Sequence, residues 1–211
     1  MTEQITVNAQ SSIRIGGETV LYFDPFRIGA AVQDADIIFI THAHFDHFSP
    51  ADIAKLRKPN TVFVAPASMA AELRANGIKA AVLMQPGEKK TVCGIAVEAV
   101  PAYNLNKQFH PRKNGWLGYA VTVGGKRIYV AGDTDATPEA AAVSCDTALL
   151  PIGGTYTMNA AEAAALADKI QPETVIPTHY GTMVGNVSDG DAFAGMVKLP
   201  VKVMLRLHGR G

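Results

Sequence analysis

The sequence predicts a layered fold of the α/β or α+β class, on three observations. Short apolar runs recur along the chain, turn residues separate them, and a few segments of helical character lie between. Taken in order, residues 5–7, 13–15 and 20–23 read as an opening meander, with Gly16-Gly17 as a hairpin turn. Residues 37–40 are wholly apolar and read as a strand buried on both faces. Ser49 as cap and Pro50 in the first turn predict a helix over 51–57. Strands follow at 61–64 and 81–83, on either side of a helix at 67–76 that Gly77 stops. Residues 95–100, 118–123 and 127–130 read as strands, the last two joined by Gly124-Gly125. Strands at 148–150, 175–176 and 201–205 complete the set. Asn159 with Glu162 resembles a capping box for a helix at 160–170, ahead of Pro172, and 191–198 reads as a last helix.

Composition narrows the class. The chain has 211 residues, 48% hydrophobic and only 18% charged, which suits a single domain over 1–211 with a sizeable core. Lys+Arg and Asp+Glu are 19 each, so the basic excess of a nucleic-acid binder is absent and no nucleic-acid partner is expected. No apolar run approaches a membrane span. Met1-Thr2-Glu3-Gln4 carries an acid and no basic region, so a cytoplasmic protein without a signal peptide is expected. Cys93 at a turn and Cys145 before a strand make no disulfide framework and read as structural. A homo-oligomer is compatible with all of this.

Six histidines are present, and three of them fall in Thr41-His42-Ala43-His44-Phe45-Asp46-His47, directly after the strand at 37–40. Three imidazoles and a carboxylate so close together form a metal-ligand set. In a tight turn, His42 and His44 can face one ion while Asp46 and His47 face another. The competing reading, a histidine-rich surface loop, leaves the distant partners unexplained. Asp24, Asp133 and His179 each stand just past a predicted strand, where side chains can converge on one sheet edge.

These residues resemble the metallo-β-lactamase superfamily, whose signature is His-x-His-x-Asp-His. The phrases Gly132-Asp133-Thr134-Asp135, Leu150-Pro151-Ile152-Gly153-Gly154 and Pro177-Thr178-His179-Tyr180-Gly181 are similar to its compact, stand-alone metal-dependent hydrolases, relatives of the ascorbate-phosphate lactonase. The resemblance implies a four-layer αββα sandwich. It also implies that His42 and His44 bind a first metal, that Asp46, His47 and His179 bind a second, and that Asp133 bridges them. Asp24 would orient a ligand histidine. One or two divalent ions would serve as cofactor, zinc first, with Mn, Fe or Ni as other options.

One position departs from the pattern. Where the family places a further histidine, this chain has Asn104. Three readings follow: Asn104 binds weakly, His110 swings in, or the first site is incomplete. Weaker binding at the first site is the expectation they share.

The implied chemistry is hydrolysis by a metal-activated hydroxide, with Asp46, Asp133 or Asp135 moving the proton. Two divalent ions would leave the site net positive, which points to a small anionic ester, lactone or phosphodiester. Lys107 and Arg112 would add to that charge, and Tyr156 and Tyr180 are pocket candidates. Trp116 and His208 read as structural. A nuclease or cyclic-nucleotide phosphodiesterase is one alternative; a metal-binding protein without catalysis is another.

Overall fold

The computed structural model describes residues 4–198, 200 and 202–204, so His208 lies outside the described residues. β1 (Ile5–Val7), β2 (Ile13–Ile15) and β3 (Leu21–Phe23) form the expected antiparallel meander. β4 (Ala35–Phe39) lies parallel to β3, and α1 (Pro50–Leu56) starts at the Ser49 cap. β5 (Arg57–Pro66), α2 (Ala70–Ala75) and β6 (Val82–Met84) extend the same sheet, in the order β1-β2-β3-β4-β5-β6.

The second sheet opens with β7 (Lys89–Val92), β8 (Ile95–Pro101), β9 (Leu117–Val123) and β10 (Lys126–Val130), each antiparallel to the one before. After α3 (Pro138–Ala141), parallel strands take over. They are β11 (Thr147–Pro151), β12 (Thr174–Thr178) and β13 (Lys202–Val203), with α4 (Ala160–Ile170) and α5 (Asp189–Met196) between them.

Strand alternation builds the layers. Ile37 and Phe39 of the first sheet, with Tyr119, Val121, Ile128 and Val130 of the second, point into one core between the sheets. Their neighbours point outward. Ile38 and Ile40 pack with Ile53, Leu56 and Leu73 of α1 and α2. Ala120, Tyr129 and Leu150 pack with Ala140, Ala163, Leu166 and Phe193 of α3, α4 and α5. The result is the αββα sandwich that the resemblance implies.

Four elements differ from expectation. β7 is an edge strand whose Lys89, Lys90 and Thr91 are exposed, so it lacks an apolar pattern. α3 is a single turn begun by Thr137 and Pro138, too short to show periodicity. The helix at 67–76 splits into a 3₁₀ turn, Ala67–Met69, and α2, neither capped by a side chain. β5 is longer than 61–64, because its polar start pairs through a bulge: Arg57 faces Ala35 and Val62 faces Ile37, with Pro59 in between.

Asp52 ties the loop after β3 to α1. Its carboxylate accepts from the Arg27 and Ile28 N–H groups, both at 3.0 Å, from Ser49 Oγ at 2.9 Å and from Lys55 Nζ at 2.9 Å. Burial opposes its charge, but these bonds outweigh burial and hold its pKa below the usual value. Asp52→Ala is expected to destabilise the fold by about 1–3 kcal/mol, by urea denaturation at neutral pH. The depressed pKa fixes the sign of the pH dependence. The contribution is complete above the unfolded value of about 3.9 and disappears as pH falls through the lower folded value, so variant and parent should converge in acid. A difference that persists undiminished in acid would contradict this.

Candidate metal centre

The strand ends deliver the site. Asp24 follows β3, His42 to His47 follow β4, His110 lies in the loop after β8, Asp133 follows β10 and His179 follows β12. Asp24 and His179 have φ of 46° and 55°, a left-handed backbone that non-glycine residues adopt at a cost of about 1–3 kcal/mol. Gly132 takes the same region at φ 64°, and a Cβ there would stand 3.1 Å from both the Leu117 carbonyl and Thr41 Cβ. Gly153 has no side chain because the His179 carbonyl occupies that space.

Three clusters of possible donors result among the described residues; in one, Asp24 with His42 and His47, the carboxylate is already bonded to His47 and Thr41, which leaves two open groups. His42, His44 and His110 offer ring nitrogens that lie within 4.8 Å of one another, and so do the donors of Asp46, His47 and His179. Asp133 stands between them. One of its oxygens is 3.3 Å from His110 Nε2, 3.2 Å from His179 Nε2 and 4.0 Å from His42 Nε2; the other is 3.4 Å from His47 Nε2. Asp46 Oδ2 is 3.4 Å from His179 Nε2 and 3.5 Å from His47 Nε2.

Outer contacts set the tautomers. Asp24 can only accept, and it takes His47 Nδ1–H at 2.7 Å and Thr41 Oγ1–H at 2.6 Å. With its proton so engaged, Thr41 Oγ1 accepts from His42 Nδ1 at 2.9 Å. Asn104 Oδ1 accepts from His110 Nδ1 at 3.2 Å and from the His110 backbone N–H at 3.0 Å. His42, His47 and His110 therefore all turn Nε2 inward, and a ring that is neutral there presents a lone pair.

Without a metal ion, the rings differ in charge. Burial and the His47 charge drive His42 well below its ordinary value. Burial also disfavours charge on His47 and His179, but Asp133 overrides it, raising His47 well above and His179 to about 9. Burial would raise Asp133 too; the charges of His179 and His47 instead hold it well below the carboxylate range.

The donors fit divalent ions on one direct observation. His47 Nε2, His110 Nε2 and Asp133 Oδ1 are buried without a hydrogen-bond partner, although they converge on one another. Buried polar atoms are ordinarily satisfied, and a metal ion in each group would satisfy these.

The structure separates the candidate residues. Asn104 does not join the donor groups, since its oxygen is taken by His110; His110, only 1% exposed, joins in its place. Asp135 accepts from Leu105 N–H at 2.8 Å, Lys107 Nζ at 2.7 Å and Asn104 Nδ2 at 3.2 Å, so it clamps the loop after β8 and does not line the cavity. Arg112 pairs with Glu139 at 2.7 Å and lies over Tyr103. Neither Lys107 nor Arg112 faces the donors. Tyr180 is fully buried against Gly190 of α5 and does not line the cavity, whereas Tyr156 does. Trp116, read as structural, packs its ring 4.9 Å from His42 and His44 and 5.5 Å from His110. Cys93 is exposed in the β7–β8 turn. Burial pushes the Cys145 thiol up to about 12, far from a nucleophile's range.

A cavity of about 280 Å³ opens over the donors. Gln10, His44, Phe45, Asp46, Phe109, Asp133, Tyr156, His179, Met183 and Val184 line it. Gln10, Phe45, Phe109 and Met183 were not anticipated. Phe45 fills a variable position of the histidine motif; Gln10, Phe109 and Met183 belong to no motif and reach the site because loops from both sheets meet at this edge.

The chain's likeness to known proteins matches this geometry. A sequence profile described as the beta-lactamase superfamily domain matches residues 4–180. A UPF0173 metal-dependent hydrolase of Thermus thermophilus is 34% identical over 189 residues, covering 84% of this chain and 83% of that protein. A relative of the same description in Pyrococcus abyssi is 33% identical, covering 92% of each chain. A crystal structure of a candidate metal-dependent hydrolase from Parabacteroides distasonis superposes with a TM-score of 0.82 at 30% identity, covering 96% of this chain and 91% of that one. Among the described residues, no helix is long and apolar enough to cross a membrane.

Proposed function

Given that this chain belongs to the beta-lactamase superfamily and is one of its metal-dependent hydrolases, we propose that it cleaves small esters, lactones or phosphodiesters with water held between the two donor groups. The observation that carries this is Asp133, buried and within 4.0 Å of four histidine nitrogens drawn from both groups. Bound divalent ions supply acidified water and a Lewis acid for the scissile carbonyl or phosphoryl group. Zinc suits the imidazole-rich donor set best.

The chain's own residues do the rest. Asp24 and Thr41 hold His47 and His42, Asn104 holds His110, and the Gln10 carbonyl holds the His179 backbone N–H at 2.9 Å. Asp46 and Asp133 line the cavity, so either carboxylate stands where it can take the proton of the attacking water and return it to the leaving group. No serine or cysteine nucleophile is required.

Chelator-stripped protein is expected to lose turnover on a panel of esters, lactones and bis(p-nitrophenyl) phosphate, and to regain it with Zn²⁺, Mn²⁺, Fe²⁺ or Ni²⁺. Trp116 is the sole tryptophan and sits against three of the donor histidines, so its emission should change and saturate at two ions per chain. Turnover indifferent to chelation would contradict the proposal. Two bound ions with turnover on nothing in the panel would favour the non-catalytic alternative.

A further inference from the structure

The cavity wall is unlike one built for an anion. Phe45, Phe109, Tyr156 and Met183 remain 65%, 46%, 38% and 42% exposed, and all four ring the same opening. Three of them are braced in place: Phe109 meets Tyr156 edge-on at 4.7 Å, and Phe45 meets Phe26 edge-on at 6.0 Å. Exposed large apolar side chains gathered in one place ordinarily mark a binding surface. No lysine or arginine lines the cavity. The nearest candidates, Lys107 and Arg112, are each neutralised by an acid, Asp135 and Glu139.

One neutral donor points into this space. Gln10 is 1% exposed, and its amide orientation is settled by its partners. Thr182 Oγ1 lies 2.5 Å from Gln10 Oε1, and the Met183 N–H, which can only donate, lies 3.5 Å from the same oxygen. The NH₂ end therefore faces the metal donors, 3.5 Å from His179 Nε2. When that nitrogen ligates an ion it has no lone pair to offer. A buried N–H group is then left at the cavity floor without an acceptor, a costly state unless a ligand supplies one.

We propose that the cavity takes a neutral acyl substrate, an ester or lactone, with Gln10 Nε2 donating to its carbonyl oxygen and the Phe45–Phe109–Tyr156–Met183 wall holding an apolar substituent. This rests on the hydrolase reading and narrows it, setting aside the anionic substrate that ion charge alone suggested. In the reaction, water oxygen joins the carbonyl carbon, the acyl C–O bond breaks, and the departing alkoxide takes a water proton. Negative charge gathers on the carbonyl oxygen meanwhile, where a fixed donor counts most.

The test compares p-nitrophenyl acetate, butanoate and hexanoate with p-nitrophenyl hydrogen adipate, which has the hexanoate's reach but ends in a carboxylate. On the metal-loaded protein, kcat/KM should rise about fourfold for each methylene the wall covers. The adipate should fall to the level of acetate or below. Phe109→Ala should flatten the chain-length series. Gln10→Glu keeps an oxygen for Thr182 and Met183 but has no N–H, and Gln10→Met has neither. Both should lower kcat by about 10²–10³ with metal content and KM little changed. Binding of 2-octanone, which cannot be hydrolysed, gives a second readout by saturation-transfer NMR. Phe109→Ala should weaken it about tenfold. Turnover that ignores chain length, prefers the adipate or survives in both Gln10 variants would overturn the proposal and leave the hydrolase reading standing. Tight 2-octanone binding with no ester, lactone or phosphodiester turned over would support the wall and remove the hydrolase reading. Loss of both would overturn the two together.

Discussion

Asp133→Asn takes hydrolysis to background and leaves both donor groups poorly able to hold metal, by activity assay and metal analysis of the same sample. The reason is position. Asp133 is the carboxylate that meets both groups, and its two oxygens between them approach His42, His47, His110 and His179. The metal-free protein suffers as well. His47 and His179 keep raised pKa values largely because Asp133 is charged beside them. Neutralising it strands buried positive charge, and breaking such a pairing costs about 3–5 kcal/mol. Urea denaturation of the stripped variant measures that loss directly. Turnover retained near the parent level would remove Asp133 from the centre of the mechanism.

The second large effect separates two neighbours that look interchangeable in sequence. His110→Ala removes a ring nitrogen from the first group, so metal content should fall from two ions to one and turnover should collapse. Asn104→Ala removes only the acceptor that orients His110, and the expected loss is about 10- to 100-fold in metal affinity at that group. Excess metal should therefore rescue Asn104→Ala and leave His110→Ala inactive. The reverse ranking would mean that Asn104 ligates and His110 does not.

That pair shows where sequence reasoning reaches and where it stops. The strand at 37–40 was legible because both its faces are buried, and the histidine cluster after it because its ligands are close in the chain. Asp24, Asp133 and His179 were legible as residues just past strands, since parallel strands bring their ends to one edge. His110 was not. Its place depends on the loop after β8 folding back so that Asn104 and His110 exchange backbone bonds: Asn104 N–H gives to the His110 carbonyl at 2.8 Å while the Asn104 side chain holds the ring. Spacing alone cannot distinguish a histidine that folds back from one that stays in solvent.

Charged residues misled for a related reason. Lys107 and Arg112 lie near the motif in sequence, but Asp135 and Glu139 reach across from the loop and helix after β10 to take them. Gln10 and Trp116 illustrate the opposite failure. Each is ordinary in its local sequence, Gln10 in the turn before β2 and Trp116 just before β9, and each acquires its role when the two sheets close over one edge. Layers and principal ligands follow from local pattern. Substrate contacts depend on which loops meet, and that is a property of the packed sandwich.

The central claim is that two complete donor groups share Asp133, with His110 completing the first. Anomalous diffraction from zinc-loaded crystals tests it most directly. Two peaks are expected about 3.5–4 Å apart, one ligated by His42, His44 and His110, the other by Asp46, His47 and His179, with Asp133 touching both. A single peak, or a first ion bound through Asn104 with His110 turned away, would contradict it.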